Sequence, residues 1–441
     1  MTRLLHRSPA APPPVAAESS GIMIRTVDGR EIIDAAGGAA VSCLGHGHPA
    51  VVTAVREQVG KLAYAHSGAF SSQPAEELAD CLLGHRPGGL SHAYFVSSGS
   101  EACEGALKLA RQYFVEIGQP RRSRFIARRQ SYHGNTLGAL AAGGNAGRRA
   151  PYAPLLAPAF SHVSAPIAYR KPAGLSDAAF VEMLRDELEQ EFARLGPDTV
   201  AGFLAETVIG ATAGAVPPPP GYLAMARAVC DRHGALLILD EVMCGMGRTG
   251  VMHAWEGEGA SPDIQTVAKG LGGGYQPIAG VLMREPIFDA IRLGSGTLLH
   301  GHTYMNHPVA CAAALAVQRT IAEEGLLARV QAMGARLSER LHARFGNHPH
   351  VGDIRGRGLF QAIELVADRS GKEPFDPALK LHQRVKAAAF ELGLACYPSG
   401  GTVDGVRGDH VLLAPPYIVT PEEIDRIVAI LGDAVDAALA N

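Results

Sequence analysis

A lysine among glycines and an aspartate at the end of an apolar run are the two residues with the clearest chemical potential. Lys269 stands in the segment T-V-A-K-G-L-G-G-G-Y at 266–275, and Asp240 follows the strand-like run A-L-L-I-L at 235–239. A lysine amine can bond to an aldehyde carbon, and a carboxylate can keep a ring nitrogen protonated. The pair therefore predicts a site for pyridoxal 5'-phosphate (PLP).

Composition indicates a globular α/β protein. The chain has 441 residues, 47% hydrophobic and 19% charged, with 52 glycines, and a chain of this length is expected to form two or three subdomains. A formal charge of −3 gives no electrostatic basis for binding nucleic acid or an anionic membrane. No apolar run approaches the about 20 residues of a transmembrane helix. The seven cysteines form no CxxC pair and the N-terminus lacks a signal-peptide core, so we expect a cytoplasmic protein with reduced thiols.

Short apolar runs alternate with amphipathic stretches through the middle of the chain, which predicts a mostly parallel sheet covered by helices. The predicted strands are 93–96, 124–127, 200–205, 235–239, 264–268 and 280–283. Further on, the pattern predicts a long helix over 308–344 and a separate α+β region. The predicted organisation is an N-terminal arm (1–20, extended or partly disordered), the N-terminal part of a small domain (21–55, opening with a hairpin at 22–34), a large PLP-binding domain (56–315) and the C-terminal part of the small domain (316–441).

A strand followed by hydroxyl residues and a helix predicts a phosphate site at 98–100. Free backbone N–H groups at a helix N-terminus, together with the hydroxyls of Ser98 and Ser100 around Gly99, favour a bound phosphate. The alternative is an ordinary capping box, in which Ser98 and Glu101 satisfy the first turn of the helix.

Two further segments supply groups for the same crevice. An aromatic ring at Tyr132 or His133, in a loop after a strand, can stack on a flat cofactor, although an ordinary surface loop is the alternative. Glu206 ends another strand, and ligands of open parallel sheets bind beyond the carboxyl ends of the strands, so it should face the crevice with Asp240. The conspicuous histidines lie in loops without carboxylates at ligand spacing, so we predict no metal site.

These segments, taken in order, resemble the class III (ω-type) aminotransferases, a family of fold type I PLP enzymes. The resemblance runs from about residue 22 to the C-terminus. It is carried by S-G-S-E-A at 98–102, Y-H-G at 132–134, Glu206, D-E-V at 240–242, G-M-G-R-T-G at 245–250, A-K-G at 268–270, H-T-Y at 302–304 and L-A-P-P at 413–416. It implies an α/β fold with a mostly parallel sheet in a large domain and a smaller α+β domain built from both termini.

The resemblance also implies roles for single residues. Lys269 would bond to the cofactor and move the proton at the substrate carbon, and Asp240 would pair with the pyridine nitrogen. The remaining cofactor contacts would be Ser98, Gly99 and Ser100 at the phosphate, Tyr132 and Val242 on opposite ring faces, and His133 and Glu206 near the ring. Thr303 would reach the phosphate bound by the neighbouring subunit, which implies a homodimer with active sites at the subunit interface.

Departures from the family pattern concern the substrate. Met243 stands where many members carry Gln, as an apolar residue does in the amine-accepting branch. Ala211 and Leu412 replace the Glu and Arg of members that act on acidic substrates.

Three residues are candidates for the substrate pocket. Arg407 resembles the mobile arginine that binds a keto-acid carboxylate in amine:pyruvate members, and the alternative is a solvated loop charge. Ala40 occupies a position where a bulky Trp is frequent, which implies a roomier pocket, and Phe70 is assigned to the same pocket.

We therefore predict a PLP-dependent transaminase that moves an amino group from an amine or amino acid to a keto acid such as pyruvate in two half-reactions. One alternative is a decarboxylating transaminase or an aminomutase of the same fold, because the same lysine can serve cleavage of a different bond. Another is a non-catalytic PLP-binding regulator, which the presence of Lys269 and the lack of room for a DNA-binding domain disfavour.

Overall fold

The computed structural model describes residues 2–440, so Met1 and Asn441, the outermost residues of the predicted terminal segments, lie outside the described part. The strands are β1 (Ala16–Ser20), β2 (Met23–Thr26), β3 (Glu31–Asp34), β4 (Leu90–Val96), β5 (Arg124–Arg128), β6 (Phe160–Val163), β7 (Val200–Glu206), β8 (Leu236–Asp240), β9 (Ile264–Val267), β10 (Ala279–Arg284), β11 (Val351–Arg357), β12 (Phe360–Leu365), β13 (Leu394–Ala395), β14 (Tyr397–Gly400) and β15 (Asp409–Leu413). The helices are α1 (Gly37–Ala40), α2 (Pro49–Lys61), α3 (Gln73–Leu83), α4 (Gly99–Glu116), α5 (Leu137–Ala142), α6 (Ala146–Arg149), α7 (Asp177–Leu195), α8 (Tyr222–His233), α9 (Glu285–Leu293), α10 (Pro308–Glu323), α11 (Leu326–Phe345), α12 (Leu381–Glu391) and α13 (Pro421–Ala440).

A seven-stranded sheet forms the centre of the molecule, in the order β4-β10-β9-β8-β7-β5-β6. The pairs from β9 through β6 are parallel, whereas β10 runs antiparallel to both of its neighbours. The prediction of a mostly parallel sheet is confirmed, and so is the fold class. Because β7, β8 and β9 are adjacent and parallel, the residues that end them meet at one edge of the sheet.

The central strands are buried on both faces, as expected when helices cover a parallel sheet. Along β7, Phe203 and Ala205 belong to one apolar core, whereas Leu204 between them belongs to the core on the opposite face. This alternation follows from the period of two in a strand. It leaves the strand ends, where Glu206 lies, as the place where polar groups can meet.

A second core is built from both ends of the chain. Ile33 of β3 pairs in parallel with Leu394 of β13, and both lie in one apolar cluster with Leu413 of β15 and Leu431 of α13. The small sheet β1-β2-β3-β13 therefore combines N-terminal and C-terminal strands.

The longest helices are amphipathic. α7, α11 and α13 contain 19, 20 and 20 residues. α11, for example, buries Val330, Leu337 and Leu341 on one side. No helix within residues 2–440 combines the length and the apolar character needed to cross a membrane.

The structure differs from the predicted elements in three places. The predicted helix 308–344 is two helices, α10 and α11, because Gly325 between them adopts a φ of +62°, which is outside helical backbone. The arm predicted at 1–20 contains β1, which pairs with β2. Strand β6 was not predicted, since F-S-H-V alternates too briefly to stand out.

Two helical glycines with opposite surroundings allow a test of the packing. A Cβ on Gly334 in α11 would lie 2.4 Å from the backbone carbonyl carbon of Gly358, whereas one on Gly60 in α2 would meet no atom within 4 Å. Gly334→Ala should destabilise the fold by about 1–3 kcal/mol through overpacking. Gly60→Ala should stabilise it by about 0.4–1 kcal/mol through the unfolded state. Urea unfolding of both variants checks the difference, and equal effects would contradict the close approach of α11 to Gly358.

Candidate active site

One cavity of about 260 Å³ lies at the carboxyl edge of the central sheet. Glu206 and Asp240 are register partners at the ends of β7 and β8, and Lys269 follows β9 after one residue. The predicted site residues that line this cavity are Ser98, Gly99, Ser100, Tyr132, His133, Glu206, Asp240, Val242 and Lys269. Parallel strand ends thus bring together residues that are up to 171 positions apart in the sequence, from Ser98 to Lys269.

Asp240 is a buried carboxylate surrounded by hydrogen-bond donors. Its Oδ2 is 2.8 Å from Nδ1 of His133 and accepts a weaker bond from Sγ of Cys103 at 3.4 Å. Its Oδ1 accepts from the backbone N–H of Val242 at 3.0 Å and from Oγ1 of Thr266 at 3.2 Å. Burial opposes the charge, but the hydrogen bond and the positive charge of His133 outweigh it, so that the pKa of Asp240 lies below its ordinary value.

Glu206 has the opposite electrostatic character. Burial raises the pKa of Glu206, against the opposing charge of His133. The nearby charge of Asp240 raises this pKa further. Its two carboxylate oxygens accept hydrogen bonds from the backbone N–H groups of Tyr132 at 3.2 Å and Gly210 at 2.8 Å. Glu206 therefore fixes the loop that carries Tyr132 and His133.

Lys269 is half-buried and has an unusual backbone. Its φ of +49° lies in the left-handed region, which is strained for a residue with a side chain. Burial lowers the pKa of its amine to about 8, against the opposing effect of the Asp240 and Glu206 charges. A larger fraction of uncharged amine is then present near neutral pH, as a nucleophile requires.

The loop after Lys269 is held from behind by α10. The buried amide of Gln318 donates to the carbonyls of Gly270 at 3.0 Å and Leu271 at 2.9 Å. Cys43 lies 3.4 Å from the same Gly270 carbonyl. Neither residue was identified from the sequence, because their partners are backbone atoms that carry no sequence signal.

The N-terminus of α4 forms one wall of the cavity. The hydroxyl of Ser98, the N-cap residue, accepts a hydrogen bond from the N–H of Glu101 at 3.2 Å, whereas the Glu101 carboxylate accepts from the N–H of the preceding Ser97 at 2.7 Å, so only the Ser98 half of a capping box is formed. A Cβ on Gly99 would lie 2.8 Å from a methyl of Val242. Only glycine therefore allows this wall to approach Val242 so closely.

Glu241, which follows Asp240, is a buried residue that sequence reasoning missed as a support. It accepts hydrogen bonds from the hydroxyl of Thr207 at 2.7 Å and from the amide of Gln265 at 3.0 Å. The backbone N–H groups of Ala254 and Trp255 complete its shell at 2.8 and 2.9 Å. Glu241 thereby anchors the end of β8 next to the cavity.

Four predicted residues do not line the cavity of their own chain. Ala40 is buried beside it, packed with Ala211 and Met243, which do line it. Phe70 and Thr303 lie on the surface, and so does Arg407, which pairs with Asp404.

Cys103, His133 and Asp240 bring three atoms of metal-ligand type within 4.8 Å of one another. The sequence did not predict this grouping, because it depends on the approach of α4 and the 130–134 loop to β8. His133 and Cys103 both use these atoms for hydrogen bonds to Asp240.

The position of Lys269 predicts how its amine titrates. In PLP-free protein its reactivity should rise with a midpoint near pH 8, because burial disfavours the ammonium form. Asp240→Asn should lower this midpoint, since the charge of Asp240 favours the ammonium. Reductive methylation with formaldehyde across pH, followed by mass spectrometry of the Lys269 peptide, measures both midpoints. The same peptide in urea-unfolded protein is the control, and a folded midpoint equal to that control would contradict the burial of the amine.

Comparison with known proteins agrees with this geometry. The family model of class III aminotransferases matches residues 6–435. An uncharacterised aminotransferase of Schizosaccharomyces pombe is 47% identical, covering 99% of this chain and 95% of its own length.

Solved transaminases share the fold over nearly the whole chain. An (S)-enantioselective ω-transaminase from Thermomicrobium roseum is 36% identical, with a TM-score of 0.92 over 98% of this chain and 94% of its own. A PLP-bound amine transaminase from an uncultivated Pseudomonas species is 35% identical, with a TM-score of 0.92 over 100% and 99%. Similarity of this extent in sequence and structure assigns the enzyme class, and the chain belongs to the class III aminotransferases.

Proposed function

We propose that this aminotransferase uses PLP to move an amino group from an amine or amino acid to a keto acid such as pyruvate, in two half-reactions of a ping-pong mechanism. The observation that carries the proposal is that the amine of Lys269 and the buried carboxylates of Asp240 and Glu206 line one cavity. A nucleophilic amine of lowered pKa beside an ionised carboxylate is the pair that PLP chemistry needs.

The cavity residues fit the cofactor. Gly99 allows the N-terminus of α4 to lie close to Val242 in the cavity wall. The partial positive charge of this N-terminus favours an anion such as a phosphate. Tyr132 and Val242 both line the cavity and offer an aromatic and an apolar surface for a flat ring. Nε2 of His133 is buried without a hydrogen-bond partner in residues 2–440, while Nδ1 of the same ring faces Asp240.

In this mechanism the protein supplies charge and proton transfer. PLP, when bound, withdraws electrons from the substrate carbon. Asp240 would hold the pyridine nitrogen of PLP in its protonated form, because His133 keeps the pKa of the Asp240 carboxyl low despite burial. Nζ of Lys269 removes the proton from the substrate carbon and returns it, for which a pKa of about 8 is suited near neutral pH.

The walls of the cavity favour substrates without a second charged group. Val41, Val208, Ala211 and Met243 form its apolar side. Among the lining residues described, Lys269 is the single lysine or arginine, and His133 is engaged with Asp240. An apolar amine donor and a small keto acid fit this surface better than a dicarboxylate does.

We also propose that the active form is a homodimer with shared sites. Thr303 and Phe70 are exposed and lie outside the cavity of their own chain. Tyr64 contacts the segment that carries Thr303, since its hydroxyl donates to the Thr303 carbonyl at 2.9 Å and its ring centroid lies 5.7 Å from that of Tyr304. The exposed Phe70, Tyr304 and Leu299 are the kind of apolar surface that a subunit interface covers.

Lys269→Ala should abolish transamination and the visible absorbance of bound PLP while leaving the fold intact. The variant removes the amine but keeps Asp240 and the N-terminus of α4, where we expect the phosphate to bind. The absorbance of bound PLP is followed in the wild type and in the variant while single amines or amino acids are added without a keto acid. The loss of absorbance in the wild type identifies the amino donor, and the variant should show no such reaction. Circular dichroism is the control for folding. Full turnover in Lys269→Ala would overturn the proposed function.

Mixing Thr303→Ala with Lys269→Ala subunits should restore activity if Thr303 serves the neighbouring chain. A mixed dimer then has one site with both lesions and one with neither, so activity should recover to at most about half of wild type per dimer. Subunit exchange is verified with differently tagged chains. Mixed dimers that show no recovery would indicate that Thr303 acts within its own subunit.

A further inference from the structure

The cavity-lining Tyr132 carries an uncompensated cation on its ring. The guanidinium carbon of Arg148 lies 4.8 Å from the centroid of the Tyr132 ring. Arg121, Arg129 and Arg407 are each paired with a carboxylate. Arg148, by contrast, has no ion-pair partner within residues 2–440. Its positive charge therefore remains available for a ligand.

The backbone of Arg148 is tied to the loop that carries Tyr132. Oδ1 of Asn145 accepts from the N–H of Arg148 at 3.1 Å, and Nδ2 of Asn145 donates to the side chain of Gln130 at 3.4 Å. The Gln130 amide in turn donates to the carbonyls of Gly401 and Thr402 at 2.7 and 2.8 Å. A chain of buried amides thus fixes Arg148 relative to the cavity wall.

Close backbone packing holds α6, which contains Arg148, against the 401–408 loop. A Cβ on Gly147 would lie 2.5 Å from the carbonyl oxygen of Gly405. A Cβ on Gly405, whose φ is +90°, would lie 3.0 Å from the N atom of Ala146. The loop with Arg407 and the helix with Arg148 therefore lie side by side near the same wall.

The charge of Arg407 is already balanced by an ion pair with Asp404. Its Nε donates to Oδ2 of Asp404 at 2.7 Å. Oδ1 of Asp404 accepts from the N–H groups of Arg407 and Val406 at 2.8 and 3.0 Å. To bind a substrate, Arg407 would have to leave a pair that its own turn supports.

A substrate carboxylate needs a cation that lies away from the strand ends. Asp240 and Glu206 line the inner part of the cavity, and an ionised Asp240 repels another anion. We propose that Arg148 is the specificity-determining residue that binds the carboxylate of the keto acid, and of an amino acid donor, at the mouth of the cavity. This rests on the proposed function, since it concerns the substrate of that same site.

The chemistry of the pair suits this role. A guanidinium stacked on an aromatic face keeps its N–H groups in its own plane free to donate. Two parallel hydrogen bonds to a carboxylate then give both affinity and orientation. An amine or an aldehyde without a carboxylate gains nothing from this contact.

The test compares acceptors that differ in the carboxylate. With one arylalkyl amine as donor, Arg148→Gln should raise the KM for pyruvate about tenfold or more, as expected for loss of a charge-assisted hydrogen bond. The kinetics with an aliphatic aldehyde as acceptor should stay within about twofold, since no charged contact is lost there. Arg148→Lys should fall between wild type and Arg148→Gln, because charge without the planar fork is retained. Arg121→Gln is the matched surface control.

Arg407→Gln tests the competing assignment, in which Arg407 binds the carboxylate of the keto acid. It should raise the KM for pyruvate less than Arg148→Gln does. A larger effect at Arg407, or an equal loss with pyruvate and aldehyde in Arg148→Gln, would overturn the proposal. Absence of turnover in wild type with either acceptor would instead contradict the proposed function, so the two failures are distinguishable.

Discussion

The buried charge of Asp240 is the constraint on which the site depends. A carboxylate taken out of water is strongly unfavourable unless donors and positive charge surround it. Here the donors come from four separate segments: Cys103 in α4, His133 after β5, Val242 after β8, and Thr266 in β9. The sheet order that places β9, β8, β7 and β5 side by side is therefore a condition for an ionised Asp240.

Side-chain amides hold the loops around the cavity whose backbone is strained. Gln318 fixes the loop after Lys269, and Gln130 fixes the loop at 401–402. Lys269 and Gln130 both have positive φ, at +49° and +54°. Strained backbone at such positions persists only where the surroundings enforce it, and here the enforcing contacts converge on the cavity.

The sequence was sufficient for six of the seven strands of the central sheet, all but β6, and for the residues that end β7 and β8, because apolar runs mark the strand ends and β7 to β9 are parallel neighbours. Ala40 lies beside the cavity, packed with Ala211 and Met243, with a φ of +63° that its sequence context does not indicate. The sequence also missed Cys103 and Thr266, whose contacts with Asp240 depend on three-dimensional packing. Residues at the ends of strands can be predicted from the sequence pattern of the strands. Contacts that arise when distant segments pack together leave no such pattern.

Charge balance separates the places where anions can bind. Within the cavity, Lys269 faces Asp240 and Glu206, and its lowered pKa shows that burial outweighs their attraction for its proton. His133, the other basic residue of the lining described, is engaged with Asp240, so no further basic side chain in this lining is left for an anion. A phosphate can be received only where the α4 N-terminus supplies partial positive charge. In the proposed assignment, the carboxylate of a substrate takes its counter-charge from Arg148, which has no ion-pair partner within the described residues and lies over the ring of the cavity-lining Tyr132. In that assignment, a phosphate at the α4 N-terminus and a carboxylate at Arg148 would orient a keto acid without the acidic-substrate pair, whose places Ala211 and Leu412 fill.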